Sequence, residues 1–165
     1  MFALVAIATT AQAQVVLNET NFPDANFRAA LASILEINEG DEITEEKIAA
    51  TTSLDVSKSY NTPDEEKIAD LTGVEHFTAL TYLNCNRNQL VSLDVSKNTV
   101  LTSLDCWGNL LTSLDVSKNT ALTSLDCRGN QLTSLDVSKN TALTNLYYYG
   151  YQLTSLDVSG CTALK

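Results

Sequence analysis

From Leu80 onward the chain repeats itself with a period of 21 residues. The blocks begin at Leu80, Leu101, Leu122 and Leu143, and each reads approximately L-T-S-L-D-C-x-G-N-Q-L-T-S-L-D-V-S-K-N-T-A. A block this short cannot bury an apolar face by itself, so its leucines must be covered by the neighbouring blocks. The repeat therefore predicts a solenoid, in which every coil depends on the coils beside it.

The spacing L-x-x-L-x-C-x-x-N-x-L inside each block is that of a leucine-rich repeat. In the second block, Leu101, Leu104, Cys106 and Leu111 are expected to point inward, and a short strand around Leu104 to pair in parallel with the next coil. The predicted fold class is an α/β-type repeat solenoid, right-handed and of about five 21-residue coils. It has a parallel β-sheet on one face, short strands or turns on the other, and a small helical N-terminal cap.

Two asparagine columns mark the places where the chain must turn inside each coil. A buried amide at such a turn can satisfy backbone groups that the turn exposes, and it can stack on the amide of the neighbouring coil. The columns are Asn88, Asn109 and Asn130 in the first half of the block and Asn98, Asn119 and Asn140 in the second half.

The sequence divides into four segments. Residues 1–13 are predicted to be a signal peptide, because an apolar core at 2–8 precedes the small-x-small site Ala11-Gln12-Ala13. Residues 14–50 are predicted to form the helical cap, and residues 51–79 an atypical first repeat with an inserted loop. Residues 80–165 hold four leucine-rich repeats.

Two helices are predicted inside the cap. The first follows Pro23 and Asp24 and points Phe27, Leu31, Ile34 and Leu35 toward the core, because these residues recur at helical spacing. The second begins at Thr44, which is a good N-cap and precedes two glutamates in the first turn. Ile43 and Ile48 are expected to pack together across that helix start.

The charge distribution excludes two classes of partner. The net charge is −10, and residues 1–79 hold 14 acidic and 4 basic residues, whereas residues 80–165 hold six of each. Nothing in this pattern neutralises phosphates, so neither nucleic acid nor an anionic membrane surface is expected as a partner. No segment after the signal peptide is long and apolar enough for membrane insertion.

Residues 21–165 resemble the secreted leucine-rich-repeat proteins of bacteria, in the broad internalin-like class. The resemblance rests on Asn21-Phe22-Pro23-Asp24 at the start of the cap, Gly73-Val74-Glu75-His76-Phe77 at its close, and the repeated Leu-Asp-Val-Ser-Lys-Asn units. It implies a degenerate EF-hand-like helical cap. It also implies a secreted or cell-surface protein that binds host or neighbouring-cell proteins, without naming the ligand.

No motif predicts an enzyme, a metal site or a cofactor. The single histidine, His76, has no nucleophile motif linked to it, and a structural role beside Phe77 is the expectation. Cys85, Cys106 and Cys127 lie one block apart on an inward position, so they are expected to stack as buried free thiols. Neighbouring parallel strands give poor geometry for a disulfide between them.

The positions at which the repeats differ predict the binding face. The second halves of the blocks repeat Asp, Ser and Lys almost unchanged, whereas the first halves vary at outward positions and introduce Trp, Arg and Tyr. These three residue types dominate binding hot spots. Drift at positions without packing demands is the alternative explanation of this variation. The ligand-binding face is predicted to consist of Tyr82, Asn84, Asn86, Arg87, Asp105, Trp107, Asp126, Arg128, Tyr147 and Tyr149.

The function predicted from these features is protein recognition outside the cell by an adhesin-like module that presents a variable concave face. Carbohydrate binding is the first alternative, because Trp107 and the tyrosines can stack on sugar rings, which makes glycans possible partners. A structural spacer within a longer surface protein is the second alternative. The sequence does not identify the protein partner.

The cap is predicted not to bind calcium, although its helix–loop–helix arrangement resembles an EF-hand. Aligning the loop on Ile43 places Gly40 at the fifth ligand position and Lys47 where the bidentate glutamate should close the site. Calorimetric titration with calcium should therefore show no binding. A dissociation constant in the micromolar range would contradict this prediction.

Overall fold

The computed structural model describes residues 14–149 and 152–165. The signal peptide predicted at residues 1–13 lies outside these residues, as do Gly150 and Tyr151. The described chain forms a small cap followed by a solenoid of stacked coils with parallel strands. The predicted leucine-rich-repeat fold with 21-residue coils is thereby confirmed.

The cap begins with helix α1 (Ala25–Leu35), and its first turn forms because Asp24 caps it. The Asp24 side chain accepts a hydrogen bond from the backbone N–H of Phe27 at 2.9 Å. Its other oxygen accepts from the backbone of Ala69 at 2.8 Å, so this carboxylate also joins the cap to the first coil. Phe27, Leu31 and Leu35 are buried as predicted.

The prediction for Ile34 was wrong, because this side chain is 41% exposed. Residues 27, 31 and 35 already form a complete apolar stripe at spacings of four, and residue 34 falls to the side of it. Helix α1 ends at Glu36, which adopts a left-handed conformation with φ 52°. A non-glycine residue in this region carries backbone strain.

Helix α2 (Glu45–Ala50) starts where the sequence predicted, with Thr44 accepting a hydrogen bond from the backbone N–H of Lys47. The Lys47 ammonium donates to the carbonyl oxygen of Leu35 at 2.7 Å and so binds the C-terminal end of α1. A two-stranded antiparallel sheet of β1 (Val15–Val16) and β2 (Glu42–Ile43) completes the cap.

An aromatic cluster joins the cap to the solenoid. The Phe22 ring lies 5.9 Å from the ring of Phe27 and 6.4 Å from that of Phe77, between centroids. Gly73 has φ 106°, and a Cβ atom there would overlap the Phe22 ring, so only glycine allows this approach. Two short 3₁₀ helices, Asp64–Glu66 and Val74–His76, lie in this junction.

Five coils contribute one strand each to a parallel sheet. Its register places Leu54, Leu83, Leu104, Leu125 and Leu146 side by side, one period apart from Leu83 onward. The other side of the solenoid carries a two-stranded parallel sheet, β7 (Ser134–Asp136) with β9 (Ser155–Asp157). The strands of the main sheet, in spatial order, are β3 (Ser53–Asp55), β4 (Tyr82–Asn84), β5 (Ser103–Asp105), β6 (Ser124–Asp126) and β8 (Asn145–Tyr147).

The interior is built from columns of identical residues. Leucines, valines and cysteines one coil apart are buried, and Cys85, Cys106 and Cys127 are free thiols as predicted. The Cys106 Sγ lies 3.4 Å from the carbonyl oxygen of Asp126 in the next coil and donates to it. The cysteine column thus combines the packing of a small apolar residue with a weak hydrogen bond.

The fourth repeat packs less tightly than the others. Tyr148 occupies the cysteine position of its coil by sequence, yet its side chain is 45% exposed. A phenol ring is too large for a space that holds a thiol in the other coils, so it leaves the interior. Leu146, Leu153 and Leu156 in the same coil are only partly buried.

Among the described residues, no helix is long and apolar enough to cross a membrane. Within these ranges, no group of three or more His, Cys, Asp or Glu side chains is placed to hold a metal ion.

The leucine column predicts a large and position-specific effect on stability. Leu125 is fully buried in β6, which has a paired strand on each side, so Leu125→Ala should lower the free energy of unfolding by about 2–5 kcal/mol. Ser134→Ala, on an exposed strand position, should change it by less than about 0.5 kcal/mol. Urea denaturation measures both, and equal losses would show that the inward and outward assignment is wrong.

Candidate binding face

The predicted face residues come together because parallel strands keep the coils in register. Asn84, Asp105, Asp126 and Tyr147 are direct neighbours in successive strands, and Asp55 of β3 extends their row. Residues two apart in a strand share a face, so Tyr82 lies on the same side as Asn84. The variable face is defined here as the ten predicted residues together with Asp55.

The ladder of backbone hydrogen bonds continues beyond the strands and carries a second row. The N–H of Arg87 donates to the carbonyl of Trp107 at 2.7 Å, and the N–H of Gly108 to that of Arg128 at 2.8 Å. The N–H of Gly129 donates in turn to the carbonyl of Tyr149 at 3.4 Å. Trp107, Arg128 and Tyr149 are thus brought to equivalent places in consecutive coils.

Trp107 and Arg128 of this row stack with each other and with two residues at neighbouring positions, Arg87 and Tyr147. The guanidinium carbon of Arg87 lies 4.4 Å from the centroid of the Trp107 ring, and that of Arg128 lies 5.7 Å from it. Arg128 is also 5.2 Å from the centroid of the Tyr147 ring. These distances fit cation–π interactions, so four consecutive coils are linked by one continuous stack.

The carboxylates of the face are held by internal hydrogen bonds. Asp105 accepts from the backbone N–H of Trp107 at 3.0 Å and from the Asn86 amide at 2.9 Å. Asp126 accepts from Nε of Arg128 at 2.9 Å and from its terminal nitrogen as well. These hydrogen bonds to Asp126 raise the pKa of the Arg128 guanidinium, which stays charged at every physiological pH.

Arg87 occupies the backbone position that glycine holds in the following coils. Its φ is 56°, close to the 67° of Gly108 and the 62° of Gly129. A side chain in the left-handed region is strained, whereas glycine adopts that region without a steric cost. The first full repeat therefore holds an arginine at a place where the repeat pattern accepts glycine.

The exposure of the face residues is uneven. Tyr147 is 46% exposed and Tyr149 59%, whereas Tyr82 is 36% exposed. Asn84 was expected to point outward to solvent, yet only 8% of its surface is accessible. It lies on the predicted face, but its amide donates to the Asp55 carboxylate at 3.2 Å and neighbouring side chains cover it.

Two residues of the first coil, Asp55 on the variable face and Lys58 beside it, were missed from the sequence. Asp55 aligns with Asn84, and Lys58 with Arg87, because the N–H of Lys58 donates to the carbonyl of Asn86 at 3.1 Å. The signal was the Leu54-Asp55-Val56-Ser57 unit, which matches the repeat. The inserted loop that follows it concealed the alignment.

The opposite side of the solenoid repeats one local structure. The backbone N–H of Ser96 donates to Asp94 at 2.9 Å, and Ser117 and Ser138 do the same to Asp115 and Asp136. The hydrogen bond from the Ser96 backbone lowers the pKa of Asp94, so this carboxylate is ionised at neutral pH. Each aspartate thus stabilises its own turn, which explains its recurrence without a ligand.

The titratable groups of the interior are poor nucleophiles. Burial raises the pKa of the Cys127 thiol to about 12 and that of Cys106 well above its usual range, so both remain protonated at neutral pH. The His76 ring packs edge-on against Phe22, with 5.7 Å between centroids, at the junction of the cap and the solenoid.

The stacked parallel coils with buried leucine and asparagine columns define a leucine-rich-repeat protein. No family model matches the sequence. The chain is similar to the solved functional domain of internalin J from Listeria monocytogenes, which includes a cysteine ladder, with a TM-score of 0.77 and 42% identity. That similarity covers 92% of this chain and 32% of the solved chain.

Two further comparisons agree with this assignment. An internalin (InlF) from Listeria monocytogenes strain 4b F2365 superposes with a TM-score of 0.65 and 25% identity, covering 94% of this chain and 52% of that one. Internalin J from the same strain is 46% identical over 78 residues, which are 47% of this chain and 8% of internalin J. The chain is therefore homologous to internalin J and has the internalin-like leucine-rich-repeat fold.

The strained arginine gives a test of the stack. Arg87→Gly relieves left-handed backbone strain, which should stabilise the protein by about 1–2 kcal/mol. It also removes a cation–π contact worth about 0.5–1 kcal/mol. The greater freedom of glycine in the unfolded chain costs about another 0.5–1 kcal/mol. The free energy of unfolding should therefore change by less than about 1 kcal/mol. Denaturant titration measures it.

Glu36→Gly is the matched control, because Glu36 is the other described non-glycine residue with positive φ and lies in the cap. It relieves comparable strain without removing a stacking partner, so it should stabilise the protein more than Arg87→Gly does. The reverse order would mean that Arg87 is not held by its contact with Trp107.

Proposed function

We propose that this chain is an extracellular or cell-surface protein-binding module of the adhesin type, and that the variable face binds the partner. The observation that carries the proposal is the stack of Arg87, Trp107, Arg128 and Tyr147 across consecutive coils. Arginine and aromatic side chains are the residues that most often dominate binding energy at interfaces.

The contrast between the two sides of the solenoid supports this choice of face. The second halves of the coils repeat Asp, Ser and Lys, and each aspartate there is used in its own turn. Such a surface favours water over a protein partner, since interface cores are depleted of charged residues. A partner would find the varied contacts that specificity requires only on the side of the main sheet.

The homology to internalin J supports an interaction module rather than an enzyme. Because the chain spans 8% of internalin J and 32% of the solved domain, the function of a whole protein is part of the proposal. Secretion or display at the cell surface rests on the predicted signal peptide at residues 1–13 and on the resemblance to internalins.

Carbohydrate binding is the second candidate, and the exposed rings of Tyr147 and Tyr149 favour it. The Trp107 ring is less suited to a sugar than the sequence suggested, because the Arg87 guanidinium lies over it. A structural spacer remains the third candidate. It predicts no binding by either side of the solenoid.

Substitutions on the two sides distinguish these candidates. Trp107→Ala and Tyr149→Ala should each weaken capture of a surface protein from host or neighbouring cells by about fivefold or more, which corresponds to about 1 kcal/mol. Lys118→Ala and Ser117→Ala, on the opposite side, should have no effect. Quantitative pull-down with each variant measures the losses.

Added glycans separate the remaining outcomes. A protein partner should be retained in the presence of free glycans and after enzymatic deglycosylation of the extract, whereas a sugar-dependent interaction should be lost. Binding that follows the Lys118 side or the cap instead of Trp107 would overturn the proposal, and absence of any partner would favour the spacer.

A further inference from the structure

We infer that the variable face recognises carboxylates on an acidic segment of a protein partner, and that the Arg87 guanidinium is the group that binds them. This inference rests on the proposed function, since it names the partner chemistry of the same surface. It is carried by the hydrogen bonds of the face, by the register of a second cation and by the backbone of Arg87.

The Arg87 guanidinium has its hydrogen-bonding capacity free. Within residues 14–149 and 152–165, no carboxylate lies within 4.0 Å of it and no acceptor receives its N–H groups. The Arg128 guanidinium, by contrast, already donates hydrogen bonds from Nε and a terminal nitrogen to the Asp126 carboxylate. A guanidinium matches a carboxylate in two parallel hydrogen bonds, so a carboxylate is the ligand that fits Arg87 best.

The carboxylates of the face already accept hydrogen bonds from the chain itself. Asp55 accepts from the Ser57 backbone and from Asn84, Asp105 from Trp107 and Asn86, and Asp126 from Arg128. A cationic partner would have to share these carboxylates with the internal donors. An anionic partner would instead meet donors that the described chain leaves unused.

A second cation lies beside the first. Lys58 and Arg87 occupy equivalent positions in adjacent coils, as the hydrogen bonds from Lys58 to Asn86 and from Arg87 to Trp107 show. Neighbouring parallel strands are about 4.8 Å apart, so the two backbones present their positive residues side by side. Two adjacent cations favour a segment with several acidic residues over a single carboxylate.

The backbone at Arg87 argues that its side chain is retained for a purpose outside the fold. The same position is glycine in the next two coils, where φ has nearly the same value. Glycine would satisfy the turn without strain, and strained residues concentrate at functional sites. The Arg87 side chain, which this strained backbone carries, lies over Trp107 at the centre of the proposed binding surface.

The acidic cap opposes an acidic partner less than its net charge suggests. Residues 14–50 hold eight acidic and two basic residues. At physiological ionic strength the screening length is about 8 Å, so exposed cap carboxylates farther away than this contribute little. A contact pair between Arg87 and a carboxylate is screened less, and the experiment is therefore done at this ionic strength.

The test uses a synthetic peptide, acetyl-(Glu-Gly)4-amide, with acetyl-(Gln-Gly)4-amide as the uncharged match. Trp107 is the single tryptophan of the chain, so its fluorescence reports binding at this site directly. The glutamate peptide should give a saturable change in emission, confirmed by calorimetry, and the glutamine peptide should give none at the same concentrations. Arg87→Gly should lower the affinity for the glutamate peptide at least tenfold.

Three variants make the result specific. Arg87→Lys keeps the charge but not the planar fork, so it should lose less affinity than Arg87→Gly. Glu36→Gly controls for relief of backbone strain, and Lys118→Ala for loss of a cation on the opposite side; neither should change binding. Thermal denaturation followed by circular dichroism establishes that each variant is folded.

Several results would overturn the inference. These are equal binding of the two peptides, no binding of the glutamate peptide, unchanged binding by Arg87→Gly, or calorimetric binding without a change in Trp107 emission. Binding of glucuronate-containing hyaluronan fragments in preference to the peptide would assign the carboxylate to a glycan and overturn it as well. If the peptide results fail but Trp107→Ala still abolishes capture of a surface protein, the proposed function stands and only the inference about acidic segments is overturned.

Discussion

The solenoid depends on buried asparagine amides that satisfy the backbone where each coil turns inside the core. The Asn109 amide donates to the carbonyls of Cys85 and Cys106 at 3.0 Å each, and its oxygen accepts from the Leu90 backbone at 3.0 Å. An unpaired backbone group in that position would cost about 1–3 kcal/mol. Because each amide bonds to its own coil and to the preceding one, it fixes the turn and the stacking together.

In the second asparagine column the amide nitrogens are hydrogen-bonded within the described chain, whereas the amide oxygens are not. Asn119 donates to the carbonyls of Val95 and Asn98 at 2.9 Å, but its side-chain oxygen is buried and accepts no hydrogen bond from the residues that the structure describes. Reversing the amide would aim its oxygen at two carbonyl oxygens, so the orientation shown is the better of the two. Cys161 takes over this position in the last coil and donates its S–H to Val137 at 3.1 Å.

These constraints explain why the interior could be predicted from the sequence and much of the surface could not. The leucine, cysteine and asparagine columns recur at one period, and a buried repeat admits only one register. Ile34 was misplaced because spacing alone does not define the width of an apolar stripe. Asn84 was taken as exposed because its cover depends on Asp55, which lies in an atypical coil, and Tyr148 fits the pattern by position but not by volume.

On the binding face, too, the repeat determines which residues point outward but not which side chains contact one another. The column pattern identified Trp107, Arg128 and Tyr149 as outward neighbours, since alternation along a strand is set by the backbone. It did not reveal that Arg87 lies closer to the Trp107 ring than Arg128 does, at 4.4 Å against 5.7 Å, because that contact depends on a left-handed backbone. The repeat offers glycine at this position, so an arginine there gains no packing that the fold requires. The departure from the pattern is therefore more informative about function than the pattern itself.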